Sequence, residues 1–310
     1  MSGFVTGVEE ITAAGTPAGL TEWRGRPARS YWCESAGRLW SNRLAVACAA
    51  YVVLLAAAAL LAPLISRYVT HYDPTTQDLS QLFRPPGGRH PLGTDELGRD
   101  TLTRLVYGAQ VSLTVGFLTA ALSLVVGGTV GMVAGYLGGW LDSLLMRLVD
   151  VILSIPAIFL FILLSTLLRP NAVTLSFIIA FVGWGNVGRL VRAEALSLRS
   201  REFVLATRSI GAGTVRLIVR HLLPNALPVM IVAASLAVGQ IILAESALSF
   251  LGLGIQPPTP SWGNMLSNAQ QYYYHSGWLV LFPGVMIFLA VLAASLLGNA
   301  VRDAFDPRLR

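Results

Sequence analysis

Residues 188–225 read GRLVRAEALSLRSREFVLATRSIGAGTVRLIVRHLLPN, and this stretch lies between two strongly apolar segments. Basic loops between membrane spans stay on the cytoplasmic side because they resist translocation. Apolar residues recur at helical spacing before and after Gly211 and Gly213, which predicts a helix, a sharp turn and a second helix facing the cytosol. The stretch contains seven arginines: Arg189, Arg192, Arg199, Arg201, Arg208, Arg216 and Arg220.

The composition of the whole chain is that of an integral membrane protein. Hydrophobic residues make up 54% of the 310 residues and charged residues only 12%, about half the charged share of a soluble domain. All 22 basic residues are arginine, so the chain has neither the lysine of a Walker-A ATPase nor a Schiff-base lysine. Any ATP chemistry must therefore belong to another subunit. Cys33 and Cys48 show no disulfide or metal-ligand spacing.

Six apolar runs are each predicted to cross the membrane as one helix, because each approaches the length that spans about 30 Å of hydrocarbon. Six spans would put both termini on the same side of the membrane. The segments on that side carry 16 of the 22 arginines, and because the arginine-rich side is cytoplasmic, both termini are predicted to be cytoplasmic. The predicted fold is an all-α polytopic membrane protein. The runs are Leu44–Ser66, Val111–Tyr136, Val151–Leu168 with a kink at Pro156, Ala172–Val187, Leu227–Ala244 and Trp278–Leu297.

Apart from the first span, the predicted organisation has four segments. Residues 1–43 form a mostly flexible cytoplasmic tail, and residues 67–106 an extracytoplasmic segment ending in a short interfacial helix. The core, residues 107–300, holds five of the six spans and the loop 188–225. Residues 301–310 form a basic cytoplasmic tail.

Two patterns near the second span point to helix packing and ion pairing. Gly127, Gly131, Gly135 and Gly139 recur every four residues, a spacing that lets another helix approach closely; the alternative is that they are filler tolerated by the bilayer. A short cytoplasmic turn, residues 137–147, carries Asp142 and Arg147. Arg147 precedes Asp150 by three residues, so the two are predicted to pair on one helix face.

The 188–225 loop resembles the EAA loop of ABC-importer permeases. Leu205-Ala206-Thr207 occupies the place of the Glu-Ala-Ala triplet, Gly211 that of the glycine and Leu223-Pro224 that of the closing pair. In that family the loop forms a coupling helix that docks into a cleft on a separate ATPase. Here the triplet's glutamate is Leu205 and its second alanine is Thr207; Glu202, one turn earlier, is a candidate replacement carboxylate. The alternative is a solvated loop that only sets topology. The resemblance implicates Arg201, Glu202, Leu205, Ala206, Thr207, Arg208, Gly211 and Pro224.

Three further stretches are similar to the C-type permeases of dipeptide, oligopeptide and nickel importers. They are HPLGTDELGRD (residues 90–100), DSLLMRLVDVILSIP (142–156) and ESALSFLGLGIQPPTPSWG (245–263). Asp95 or Asp100 is also predicted to cap the helix that follows. Glu245, at the outer end of the fifth span, is either a functional carboxylate or a structural glutamate that snorkels or is hydrogen-bonded. The motif residues singled out are Gly93, Asp95, Gly98, Arg99, Asp100, Asp142, Arg147, Asp150 and Glu245.

The resemblance implies a type I ABC-importer permease in the bacterial cytoplasmic membrane. Expected partners are a homologous second permease, two cytoplasmic ATPases, an extracytoplasmic binding protein and the lipid bilayer, with no nucleic acid, because topology explains the net charge of +6. The chain should be no enzyme, with no catalytic, cofactor or metal site, and ATP and magnesium should bind the partner ATPases. The expected cargo is a dipeptide or oligopeptide, with nickel or another small solute as the alternative. A stand-alone secondary transporter or channel is the competing class. Such proteins usually carry ionisable residues near the middle of the membrane, whereas the apolar cores here show none apart from Glu245 at a span end.

Overall fold

The computed structural model describes residues 31–267 and 269–305, and this part of the chain is built from α-helices. Thr94 and Asp100 form an isolated antiparallel bridge, and no strand is present among the described residues. Single turns of other helical types occupy Ser66–Thr70, Leu79–Gln81 and Ile218–Leu222. The α-helices in chain order are α1 (Tyr31–Ser41), α2 (Arg43–Leu60), α3 (Ala62–Ile65), α4 (Thr101–Leu137), α5 (Gly139–Ser154), α6 (Ala157–Leu168), α7 (Ala172–Arg199), α8 (Glu202–Ser209), α9 (Thr214–Leu217), α10 (Leu223–Phe250), α11 (Trp262–Met265), α12 (Ala269–Tyr272) and α13 (Trp278–Phe305).

Five helical segments are long and apolar enough to cross a membrane: α2, α4, α7, the continuous helix Thr214–Phe250 and α13. The pair α5 and α6 supplies a sixth candidate, bent by 83° at the break between its two halves. Five of the six predicted apolar runs lie within one of these candidates. The first, Leu44–Ser66, continues past the end of α2 at Leu60 into α3 and the turn Ser66–Thr70. The predicted all-α polytopic fold is confirmed, with five helices that could cross a membrane and the bent pair as a sixth candidate.

The third predicted span, Val151–Leu168, is wrong as a single helix. Ile155 takes an extended backbone conformation (φ −91°, ψ 127°) and separates α5 from α6. A residue that precedes proline is pushed out of the helical region by the proline ring, so Pro156 breaks the helix rather than bending it. With only 12 residues, α6 is about 18 Å long and cannot span the hydrocarbon core alone.

Two other predicted boundaries are wrong because the helices continue past them. The interfacial helix and the second span form one 37-residue helix, α4, capped at its start by Asp100 and interrupted by no proline. The fourth span extends beyond Val187 to Arg199, with Val191, Ala195 and Leu198 all buried along one side. This i, i+4, i+7 spacing keeps one face against the core, so the first third of the predicted loop 188–225 is a rigid extension of α7.

Smaller corrections concern four further regions. The turn predicted at residues 137–147 is reduced to Gly138 and the start of α5. The described part of the N-terminal tail is not flexible coil but α1, which carries an ion pair between Glu34 and Arg38 (3.2 Å). Similarly, α13 continues through residues 301–305, and the fifth span continues to Phe250, which puts Glu245 inside the helix. The predictions for residues 1–30 and 306–310 lie outside the described residues.

The glycine pattern in α4 is the main contact with α7. A Cβ built on Gly127 would lie 2.5 Å from the Trp184 carbonyl oxygen, and one built on Gly131 would lie 2.3 Å from the Gly188 carbonyl oxygen. A Cβ on Gly135 would lie 2.6 Å from the carbonyl oxygen of Arg192. The prediction of close helix approach is confirmed for these three glycines. It is wrong for Gly139, which has open space around it.

Two buried clusters divide the interior. The larger one joins α2, α4, α7, α10 and α13 in the membrane and includes Trp262, which is fully buried. The smaller one lies where α4 and α7 reach the cytoplasm and includes Met132, Leu198, Val204 and Leu217. The smaller cluster therefore joins the cytoplasmic ends of the membrane helices to α8 and α9.

Candidate functional site

The candidate site is the cytoplasmic element formed by α8, the turn after it and α9. α8 begins after Arg201, whose backbone is extended (φ −74°, ψ 146°), and Glu202 in its first turn complements the positive end of the helix dipole. Gly211 follows α8 with φ +84° and donates its N–H to the Arg208 carbonyl oxygen (3.0 Å). This confirms the predicted helix, sharp turn and helix.

Gly211 holds a conformation that side chains resist. Its φ lies in the left-handed region, which residues with a Cβ enter at a cost. No atom lies within 4 Å of a Cβ built there. The constraint at Gly211 is therefore on the backbone angle and not on the space available.

The connection from α9 into the membrane is continuous. Between them the chain makes one wide turn, Ile218–Leu222, in which the N–H of Leu223 bonds to the Ile218 carbonyl oxygen. Pro224 directly follows this wide turn at the start of α10, and because it has no N–H it donates no hydrogen bond to the preceding turn. Because α9, the wide turn and α10 form the single helix Thr214–Phe250, a displacement of the 211–214 turn is transmitted directly to a membrane span.

The element shows one buried face and one exposed face. Val204 is 1% exposed and packs with Leu217 in the cytoplasmic cluster, which fixes α8 on the core. On the outside are the apolar side chains of Leu205 (50% exposed), Ile210 (85%) and Val215 (74%). Exposed apolar side chains grouped on a polar, cytoplasmic element indicate a surface that another protein covers.

The residues that replace the usual triplet fit the helix. Leu205 and Ala206 are exposed, and the Thr207 hydroxyl donates to the Phe203 carbonyl oxygen (2.6 Å) within α8. The threonine therefore needs no partner outside the helix. Glu202 is exposed in the first turn. That Glu202 supplies the carboxylate that the triplet lacks remains a prediction.

Two ion pairs fasten α5 to α7 beside this element. Arg192 binds Asp142 through two hydrogen bonds, from Nε (2.5 Å) and Nη2 (2.7 Å), and Arg189 binds Asp150 at 2.6 Å. The predicted Arg147–Asp150 pair is wrong, because the Asp150 carboxylate contacts a residue on α7 instead. Sequence spacing reveals pairs along one helix, whereas this partner lies 39 positions away.

The HPLGTDELGRD motif forms a compact extracytoplasmic turn. Asp100 caps α4 by accepting from the Thr103 N–H (2.8 Å), as predicted, and its other oxygen is 2.9 Å from His90 Nδ1. The alternative prediction that Asp95 caps the helix is wrong. The Asp95 carboxylate binds Arg99 Nε at 2.7 Å and lies 3.3 Å from Arg104 Nε, and all three side chains are buried.

The two motif glycines make this turn possible. Gly93 and Gly98 have φ of +77° and +71°. A Cβ on Gly98 would lie 1.8 Å from the Asp78 carbonyl oxygen, so only glycine fits beside the preceding chain.

Glu245 is fully buried and hydrogen-bonded, the second of its two predicted roles. Ser112 on α4 donates to its Oε2 (2.9 Å) and Ser249 to its Oε1 (2.7 Å). The same hydroxyls accept from backbone N–H groups of the outer loop, at Trp262 (3.4 Å) and Ile255 (3.1 Å). The carboxylate thus links α4, α10 and that loop. Sequence reasoning missed this serine set, although Ser246 and Ser249 flank the glutamate in its motif.

Comparison with known proteins connects these features to one family. The family model described as a binding-protein-dependent transport system inner membrane component matches residues 127–310. The model described as the N-terminal TM domain of oligopeptide transport permease C matches residues 30–86. The first match contains α8, the glycine contact, both ion pairs and Glu245. The second contains α2 and part of the extracytoplasmic segment.

Curated relatives align along most of the chain. The dipeptide transport system permease protein DppC of Alkalihalophilus pseudofirmus is 41% identical over 283 residues, covering 91% of this chain and 92% of the relative. The di/tripeptide permease DppC of Pseudomonas aeruginosa is 40% identical over 290 residues, covering 92% and 93%. The oligopeptide permease OppC of Bacillus subtilis is 35% identical over 297 residues, covering 96% of each chain.

A solved structure shares the fold at low sequence identity. The MetNI methionine ABC transporter in an inward-facing conformation superposes with a TM-score of 0.50 and 19% identity, covering 64% of this chain and 96% of the other. Together with the helical architecture of five or six candidate crossings, the family match and the relatives show that the chain belongs to the family of inner membrane components of binding-protein-dependent transport systems, as a multi-pass permease of the bacterial inner membrane.

Proposed function

We propose that this permease carries dipeptides or oligopeptides across the membrane as one subunit of an ATP-driven importer. The observation that carries the proposal is the cytoplasmic element. A short helix with exposed Leu205 and Ile210 lies between two membrane helices and is joined through α9 to α10. A partner that binds α8 and changes shape can therefore move a membrane span.

The partner at α8 is a cytoplasmic ATPase. The chain has no lysine and so no Walker-A site of its own; under this proposal ATP and magnesium bind that partner. Two such ATPases, one for each permease, would close on ATP binding and displace the α8 of each. The apolar side chains at positions 205, 210 and 215 supply the kind of contact that such an interface buries at its centre.

A homologous permease and an extracytoplasmic binding protein complete the transporter. The membrane path then lies between the two permeases, and the binding protein selects the cargo. Peptide is the favoured cargo because the relatives aligned over most of the chain are named as dipeptide, di/tripeptide and oligopeptide permeases. Within residues 31–267 and 269–305, no three His, Cys, Asp or Glu side chains group as a metal site.

Reconstituted transport tests this proposal. The permease pair, the ATPases and the binding protein are placed in vesicles, and uptake of labelled dipeptide, pentapeptide and Ni²⁺ is followed with and without ATP. The proposal predicts ATP-dependent peptide uptake and no Ni²⁺ uptake. Peptide uptake that is driven by an ion gradient without the ATPases would instead identify a secondary transporter.

The role of the exposed apolar residues has its own control. Leu205→Ser with Ile210→Ser should reduce the ATPase recovered with the permease by about tenfold, the size expected when central interface anchors are lost. Leu251→Ser changes an equally exposed leucine (57%) on the extracytoplasmic side and should leave ATPase recovery unchanged. Equal recovery of the ATPase with both variants would show that α8 is not part of the interface.

A further inference from the structure

A second feature of the cytoplasmic element is a cavity on the side of α8 that faces the core. Its volume is about 380 Å³, and it lies between the end of α4 and the turn that leads into α9. Tyr136 and Leu137 border it on one side and Ala212 and Thr214 on the other. Leu217 and two arginines, Arg199 and Arg208, complete the lining.

Arg208 is on the core-facing side of α8. It follows the buried Val204 by four residues, and residues at this spacing share a helix face. The face predicted to meet the ATPase carries Leu205 and Ser209 instead. Arg208 is exposed, and it lines the cavity together with the exposed Arg199 at the end of α7.

Neither guanidinium in the cavity is neutralised by a carboxylate. Arg199 donates one hydrogen bond, to the Tyr136 carbonyl oxygen (3.2 Å), and Arg208 forms no side-chain hydrogen bond or ion pair within the described chain. The nearby Asp142 carboxylate interacts electrostatically with Arg199, but both of its oxygens are bound by Arg192. Among the described residues, no acidic residue lines the cavity. Two like charges that line one cavity without a counter-charge attract an anion.

The backbone adds a second attraction for an anion. Thr214 is the first residue of the continuous helix Thr214–Phe250, and its N-cap residue, Gly213, provides no side-chain hydrogen bond. The first N–H groups of a helix lack partners within the helix, and its N-terminus carries a partial positive charge. Thr214 therefore brings this positive helix end to the same cavity as the two arginines.

We propose that this cavity binds a phosphate-bearing anion that bridges Arg199 on α7 and Arg208 on α8. Guanidinium groups match phosphate oxygens with paired hydrogen bonds. The cavity is open to the surface at the C-terminal end of α4, where Tyr136 and Leu137 line it, so both an anionic phospholipid headgroup and a cytosolic phosphate can reach it. A bound anion would tie α8 to α7 and stiffen the element that transmits movement to α10.

Binding is measured on the complete transporter purified in detergent and depleted of lipid. The probes are inorganic phosphate, dihexanoyl phosphatidylglycerol and, as the zwitterionic comparison, dihexanoyl phosphatidylcholine. The expected result is that an anionic probe slows hydrogen exchange in residues 199–217 and that added salt weakens this effect. Binding of phosphatidylglycerol alone assigns the site to lipid, and binding of inorganic phosphate alone assigns it to a cytosolic anion. If neither anion binds, the proposal is wrong.

Matched substitutions locate the site. Arg199→Gln with Arg208→Gln should weaken anion binding by at least about tenfold, because two charge-assisted contacts are lost. Arg216→Gln removes an arginine that is also exposed but does not line the cavity, and this variant should bind the anion like the unaltered protein. Unchanged affinity in the double variant would overturn the proposal.

Arginine modification tests whether the anion binds at these two arginines without any substitution, so it applies even if the double variant does not fold. Phenylglyoxal reacts with accessible guanidinium groups, and mass spectrometry reads each site. The anion should protect Arg199 and Arg208 but leave Arg216 reactive. Equal protection of all three arginines, or of none, would contradict a site in this cavity.

Discussion

Gly211 is the residue on which the turn between α8 and α9 depends. Its φ of +84° is strained for a β-branched side chain, even though the surrounding space is open. We expect Gly211→Val to cost about 1–3 kcal/mol of local stability in this turn and to abolish most ATP-driven uptake while the protein still inserts. Uptake by transport assay and membrane content by immunoblot separate the two effects.

Gly213→Val is the matched control for this prediction. Gly213 also has open space around it, but its φ is −68°, which valine accepts. The control should transport normally. Equal loss in both variants would show that the side chain, and not the backbone angle, disturbs the element.

Glu245 is the second residue whose removal should have a large effect. Glu245→Ala leaves the hydroxyls of Ser112 and Ser249 without their acceptor inside the protein. Each unsatisfied buried polar group costs about 1–3 kcal/mol, so the thermal unfolding temperature of the detergent-solubilised protein should fall clearly. Gln240→Ala, an exposed position on the same helix, should leave it unchanged. An unchanged unfolding temperature for Glu245→Ala would refute the structural role of this carboxylate.

The contact between α4 and α7 governs packing among the helices. Gly131→Leu would push α7 away, because even a Cβ there lies 2.3 Å from the Gly188 carbonyl oxygen. Overpacking typically costs about 1–3 kcal/mol, and in lipid no hydrophobic gain offsets it. We expect loss of folded protein or of the copurifying permease in mild detergent. Val125→Leu enlarges an exposed side chain of α4 (66% exposed) and should assemble normally. Assembly of both variants would mean that α4 and α7 tolerate separation.

The elements also show what the sequence could and could not predict. Membrane helices need long apolar runs, so their existence follows from composition. Gly211 could be predicted to mark the turn because glycine is the residue that enters positive φ most easily. The predicted end of α7 falls too early. The arginines of a helix that continues into the cytoplasm lower the local hydropathy in the same way as a loop does. The Arg189–Asp150 pair joins positions 39 apart, and no local pattern indicates such a partner.

At the scale of the whole molecule, the helices connect the two membrane surfaces. α8 lies on the cytoplasmic surface and is joined by the turn at residues 210–213 to the continuous helix Thr214–Phe250, which contains α9 and α10. α10 ends beside the outer loop that Glu245 helps to position. A movement at the ATPase can therefore reach the extracytoplasmic side through one helix. This path requires that α8 be cytoplasmic and in contact with the ATPase.

Crosslinking from Ser209 tests that requirement most directly. Ser209→Cys, in a background with Cys33→Ser and Cys48→Ala, places a single thiol on the exposed face of α8 in the assembled transporter. Thr259→Cys, exposed in the outer loop, is the control. We predict that Ser209→Cys crosslinks to the ATPase and resists a membrane-impermeant thiol reagent in whole cells, while Thr259→Cys is labelled from outside and gives no ATPase crosslink. Labelling of Ser209→Cys from outside would contradict the account.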